Sequence, residues 1–246
     1  MRRSAKHNGS LALQKREVRH TCGCERVLVF WGKMHRQMGA RWVLIGSTLL
    51  PFMKPQFPQL LESVRQCRLC EKSLPLGPRP VLQVDPRAKI LIAGQAPGRR
   101  VHETGVPFDD PSGDRLREWM GITKETFYDP TKIAILPMGF CYPGTGKSGD
   151  LPPRPECAEA WRQQLLDCLQ QLALTLVIGQ YAHKWHLPKT HKNLTETVRA
   201  WQDYAPSVIP LPHPSPRNNI WLKKNPWFSE SLLPTLMKST QEALIA

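Results

Sequence analysis

Four cysteines in this 246-residue chain have the spacing of a ligand set: Cys67 and Cys70, with two residues between them, then Cys141, then Cys157. Thiolates so placed suit zinc or an iron–sulfur cluster, and spacing alone does not separate the two. The alternative is that they are ordinary small residues. Cys22, Cys24 and Cys168 stand outside the pattern and read as bystanders. An odd total of seven cysteines, without a secretory signal, argues against a disulfide framework and for an intracellular compartment. Other potential chemistry gathers in three short stretches: Gly94-Gln-Ala-Pro-Gly98, then Gly105-Val-Pro-Phe108 with Asp109 and Asp110 behind it, then His213-Pro-Ser-Pro216 with Arg217 and Asn218. The first reads as a tight turn whose glycines let backbone amides approach a ligand closely. Phe108 offers a flat apolar face for a planar ring, or else belongs to the core. Asp109 and Asp110 are carboxylates able to orient a water or stabilise a cationic centre, or else solvated turn residues before Pro111.

The elements that must position these stretches follow from hydrophobic periodicity. Short β-branched or Leu-rich runs at 89–93, 132–136, 174–178 and 208–211 read as buried strands, and helical spacing marks 112–120, 155–172, 180–187, 190–204 and 229–244. Such alternation predicts a three-layer α/β/α fold around a central four-stranded parallel sheet. Ligands of such sheets sit beyond the carboxyl ends of the strands, which brings 94–98, 137–149, 179–181 and 212–219 to one edge. The Pro/Gly-rich stretch 143–155 reads as a long loop. Within it, Gly144-Thr-Gly-Lys-Ser148 imitates the end of a Walker A loop, but Cys141 stands where the pattern needs glycine. Pro152 and Pro153 oppose the helix that should follow, so an NTPase is not expected.

The net charge of +14 favours a polyanionic partner. Residues 1–52 carry +8 of it and the remaining 194 residues +6. The first 52 residues lack the periodicity of the rest and read as a basic N-terminal extension, either an organelle transit peptide or an upstream extension of the reading frame with Met53 as the functional start. The folded domain is expected over 53–246. No apolar run reaches the roughly 18–20 uncharged residues that a spanning helix needs, so a soluble, cytoplasmic protein without a membrane partner is expected, organelle targeting being the alternative.

Together, the three motifs and the four cysteines resemble the uracil-DNA glycosylase superfamily, closest to its iron–sulfur branch, families 4 and 5, as a divergent member. The resemblance spans about residues 55 to 245. It implies a monomeric enzyme that hydrolyses the N-glycosidic bond of uracil or another deaminated base in DNA, with a [4Fe-4S] cluster, rather than zinc, on Cys67, Cys70, Cys141 and Cys157. It implies that Gly94, Gln95, Ala96 and Phe108 form the base pocket, Phe108 stacking a base taken out of the helix. His213 would stabilise negative charge on the departing base, with Asp109 and Asp110 as the carboxylates of the reaction. Ser215, Arg217 and Asn218 would contact DNA, the segment running on to Trp221 pressing into the helix. The chain departs from the family at Gln95, where the family 4 pattern has glutamate, at Ala96, where family 1 has aspartate, and at Pro137, where the iron–sulfur branch usually has a base-reading asparagine. These departures motivate the alternative of a catalytically silent, iron–sulfur nucleic-acid-binding member.

Overall fold

A computed structural model describes residues 56–147 and 149–246, together with the backbone of three short antiparallel strands, Leu28–Val29, Trp42–Ile45 and Thr48–Pro51. The basic extension expected over 1–52 otherwise lies outside the described residues. By its internal contacts the chain divides into Met1–Gln56 and Phe57–Ala246, and the second unit holds every motif named above except Cys22 and Cys24.

In that unit the strands β1 (Ile90–Ala93), β2 (Ile133–Ile135), β5 (Leu174–Ile178) and β6 (Val208–Leu211) form one sheet in the order β2-β1-β5-β6, and every pairing is parallel. A parallel sheet buried on both faces needs strands that are apolar throughout. Ile-Leu-Ile-Ala in β1 supplies this, with all four residues buried. Alternation of side chains then sorts them between two layers. Ile90 and Ile92 face a core closed by α3 (Pro111–Met120), α4 (Lys124–Phe127), α8 (Leu194–Arg199) and α10 (Leu233–Ile245). Leu91 faces the opposite layer, built from α1 (Phe57–Arg65) and the helical segment over 155–166, and Ala93 packs with α7 (Gly179–His186). The outer edge of β2 is covered by an antiparallel bridge in which Gln83 and Ile135 exchange backbone hydrogen bonds of 3.0 and 2.7 Å. Such covering removes an edge that would otherwise invite pairing with another chain.

The four strands fall within a residue of the positions expected from the sequence. Three other expectations are refined. The helix expected at 155–172 is α5 (Pro155–Cys157), a π-type turn at Ala158–Arg162 and α6 (Gln163–Leu166). The one at 190–204 is reduced to α8 and a 3₁₀ turn, Trp201–Asp203. The loop at 143–155 contains a small hairpin, β3 (Thr145–Gly146) paired with β4 (Gly149–Asp150), so the Walker-like residues open no helix. No helix among the described residues is long and apolar enough to cross a membrane.

Candidate active site

At the carboxyl edge of the sheet lies a cleft of about 650 Å3, walled by the segments after β1, β2 and β6, by the loop before α3 and by strand β4. The loop after β1 is fixed to the one after β2 by two backbone bonds, Met138 N–H to Gly94 O (2.9 Å) and Gly139 N–H to Gln95 O (3.0 Å). Gly94, Gln95, Ala96, Phe108, Asp110, His213, Ser215, Arg217 and Asn218 all line this one space. Asp109 is not among the lining residues. Its charge reaches the Tyr128 phenol, which burial above all pushes upward against Arg117, with Asp109 and Asp110 adding to the rise.

Phe108 is set by its backbone. It has φ of 54°, a left-handed conformation that a bulky residue adopts only when its surroundings impose it. They do so here: Asp110 caps α3 by accepting from Gly113 N–H (2.9 Å), and Tyr128 Oη donates to Pro107 O (3.0 Å). A Cβ at Gly113 would fall 1.8 Å from the Phe108 carbonyl oxygen, so only glycine permits this approach. The Phe108 ring meets Phe127 edge-on and leans over Gly94, where a Cβ would be 3.6 Å from Cζ. The half-buried ring thus presents one face to the cleft. The same geometry shows that the Asp110 carboxylate is occupied as a helix cap, a structural duty beside any chemical one.

His213 follows β6 in a segment tied to itself and to α3. Ser215 N–H donates to His213 Nδ1 (3.2 Å), Asn218 Nδ2 donates to His213 O (2.7 Å), Arg217 N–H donates to Ser215 Oγ (3.2 Å), and Arg115 reaches Ser215 O (3.0 Å). Because Nδ1 accepts a hydrogen bond, the proton of the neutral ring resides on Nε2. Burial holds this imidazole below its ordinary range, while the charges of Asp110 and Asp150 pull in the opposite direction. The ring is therefore a neutral donor at physiological pH.

Asp150 escaped the sequence reading. It ends β4 with an exposed side chain, lines the cleft, and lies against Gly98, where a Cβ would be 3.5 Å from its Oδ2. An isolated aspartate in a Gly/Pro-rich stretch carries no periodic signal.

The four cysteines come within one another's fields. Burial, first, and the other thiols push Cys157 up to about 12, and burial with Cys70 and Cys67 pushes Cys141 up to about 11. The Cys70 thiol is raised by burial and by Cys67 and Glu156. N–H groups point at the sulfurs: Trp161 Nε1 at Cys67 Sγ (3.1 Å), Phe140 N at Cys157 Sγ (3.3 Å), and the Arg79 backbone at Cys141. Among the described residues, no three His, Cys, Asp or Glu side chains converge as the ligands of a single metal ion.

Arg162, on the π-type turn five residues beyond Cys157, is fully buried. It donates to Leu136 O (3.0 Å), Pro137 O (2.9 Å) and His186 Nε2 (3.1 Å), all neutral groups. Burial lowers it only to about 10, so it remains a cation, and a charge on Cys157 would work against that lowering. Burial, and then this same cation, press His186 down to about 3. Arg162 shares a helical stripe with Leu165 and Leu169, and a charge in an apolar stripe is the sign by which sequence reading could have found it.

An open α/β sheet with a ligand cleft at its carboxyl edge, holding an aromatic wall and a neutral imidazole donor, defines a class of domain that can grip a planar polar ring. Residues 82–237 match the family model of the uracil DNA glycosylase superfamily, and the chain belongs to that superfamily. Membership makes it, at that level, a glycosylase-like enzyme acting on DNA. The match includes the cleft motifs, Cys141 and Cys157, while Cys67 and Cys70 precede it.

Proposed function

We propose that the domain within 53–246 is a monomeric, cytoplasmic DNA base-excision glycosylase of the iron–sulfur branch, hydrolysing the N-glycosidic bond of uracil or another deaminated base. The observation that carries this reading is the His213 ring, held neutral with Nε2–H as its free donor in the same cleft as the Phe108 face. Breaking the base–sugar bond leaves negative charge on the base and an oxocarbenium-like sugar. A preorganised donor at a base carbonyl stabilises that charge only as it develops. A neutral donor does so without protonating the base outright. Phe108, its ring backed by Gly94, stacks the extruded base on its open face, and the Gln95 side chain supplies an amide where a carboxylate would repel a base carbonyl. Ser215, Arg217 and Asn218 lie at the rim, where a flanking phosphate passes.

The four-thiol site fits an iron–sulfur cluster in the chemistry of its donors. N–H···S hydrogen bonds are among the features that tune such centres. The buried Arg162 cation, whose hydrogen-bond partners are all neutral, lies beside an anionic centre when the thiols are deprotonated. Cys67, Cys70, Cys141 and Cys157 would hold the cluster, which when bound supplies a cross-link between the start of the domain, the loop after β2 and helix α5. The base-excision steps use the cleft residues alone.

Incubating the full chain with single-stranded and duplex oligonucleotides bearing uracil, hypoxanthine or xanthine tests the reading, with abasic sites expected on at least one. The second reading, a silent binding member, is favoured by Gln95, Ala96 and Pro137, which leave the first motif without a carboxylate and the usual base-reading position without a polar side chain. Tight binding without abasic sites would establish it.

A further inference from the structure

Hydrolysis needs a group to take the proton of the attacking water, and the loop after β1 offers only Gln95 and Ala96. Of the two adjacent aspartates before α3, Asp109 does not line the cleft and Asp110 spends Oδ1 on the Gly113 amide. Asp150 differs from both. It sits across the cleft on the β3–β4 hairpin, its side chain is exposed so that water reaches it, and its Oδ2 lies beside the backbone of Gly98. Its field reaches His213. A water held by Asp150 therefore shares one space with the group that stabilises the departing base.

Resting on the glycosylase reading above, we propose that Asp150 is the catalytic carboxylate, standing in from the hairpin for the one the first motif lacks. In the step it serves, the C1′–N bond breaks and its electron pair leaves with the base, which His213 Nε2–H stabilises as an anion. The water oxygen bonds to C1′, and the second water proton passes to the Asp150 carboxylate, later to neutralise the base or return to solvent. No oxidant, reductant or further reactant is required.

The test is a single-turnover measurement on whichever base the wild-type chain removes. Asp150→Asn keeps the shape and should lower the rate by roughly 10²–10⁴, the usual range for a positioned general base. Affinity for a duplex carrying a non-cleavable 2′-fluoro analogue should stay within about twofold, a bound chosen to be small beside the usual factor-of-ten convention of affinity differences. Added formate should restore part of the rate of Asp150→Ala, which a merely structural aspartate would not allow. Asp110→Asn should lose less rate and more thermal stability, because it removes a helix cap. A wild-type rate in Asp150→Asn, a larger loss in Asp110→Asn, or a loss of rate matched by an equal loss of affinity without formate rescue would overturn the assignment while leaving the glycosylase reading intact. A wild-type chain inactive on all three bases would overturn both.

Discussion

The cysteine site is half in the core, with Cys141 and Cys157 buried and Cys67 and Cys70 partly exposed, whereas the cleft is assembled from loops at the sheet's edge. Cys157 packs with Leu60, Leu91 and Phe140 in one buried cluster, and the buried Arg162 nearby ties α5–α6 to the end of β2. The cleft residues stand on loops beyond the strands, fixed by a few backbone bonds and by one strained residue, Phe108. The contrast separates two kinds of cost. Disturbing Cys157 disturbs the packing of one face of the sheet, while disturbing His213 leaves the sheet untouched and changes only what the cleft stabilises.

The largest expected effect lies on the cysteine side. Cys157→Ala or Cys67→Ala should lose brown colour and soluble yield together when the protein is prepared anaerobically, since a metal centre's binding energy becomes folding energy, on the order of several kcal/mol. Wild-type protein should contain iron and sulfide in near equal amounts. Zinc without iron would break the comparison at its base. Next comes His213→Ala, which should lower the single-turnover rate by roughly 10²–10³ with DNA affinity and thermal midpoint nearly unchanged. Phe108→Ala should instead weaken capture of the extruded base by about 1–3 kcal/mol, read as affinity for uracil-containing over undamaged DNA. Equal losses of plain DNA affinity in both variants would assign the two residues to positioning alone.

A smaller, graded effect distinguishes the interior from the cleft through acid. Burial holds His183 and His186 below the ordinary imidazole range, His186 to about 3. The unfolded chain takes up protons first, so the stability these rings contribute is complete above about pH 6.5 and is lost as pH falls from there toward their folded values. The unfolding free energy from urea titrations should fall between pH 6.5 and 4 by on the order of 1 kcal/mol per pH unit, and the urea midpoint with it. A midpoint unchanged over that range would show that these rings take up protons in the folded state.

Much of this architecture was readable because it is periodic. Apolar runs such as Ile90–Ala93 and Leu174–Ile178 admit few readings other than buried strands, and their order alone brings Gly94, Phe108 and His213 to one edge. What escaped has no period. The hairpin that carries Asp150 is two residues per strand, below the length at which alternation is visible. The helix from Pro155 reads as continuous because its spacing is helical, yet Ala158–Arg162 follows a π-type path that carries the buried Arg162 inward. Asp109 and Asp110 are indistinguishable in sequence, and it takes the structure to separate them, since Asp110 alone lines the cleft and caps Gly113.

The central claim is that His213 works as a neutral donor, and the pH dependence of the wild-type single-turnover rate tests it most directly. Burial keeps the ring below its ordinary value against the opposing charges of Asp110 and Asp150, so the rate should hold level as pH falls from 8 through 6.5. A rate that instead rose as pH fell through 6.5, and lost that rise in His213→Ala, would mean that the imidazolium is the active form and would contradict the account.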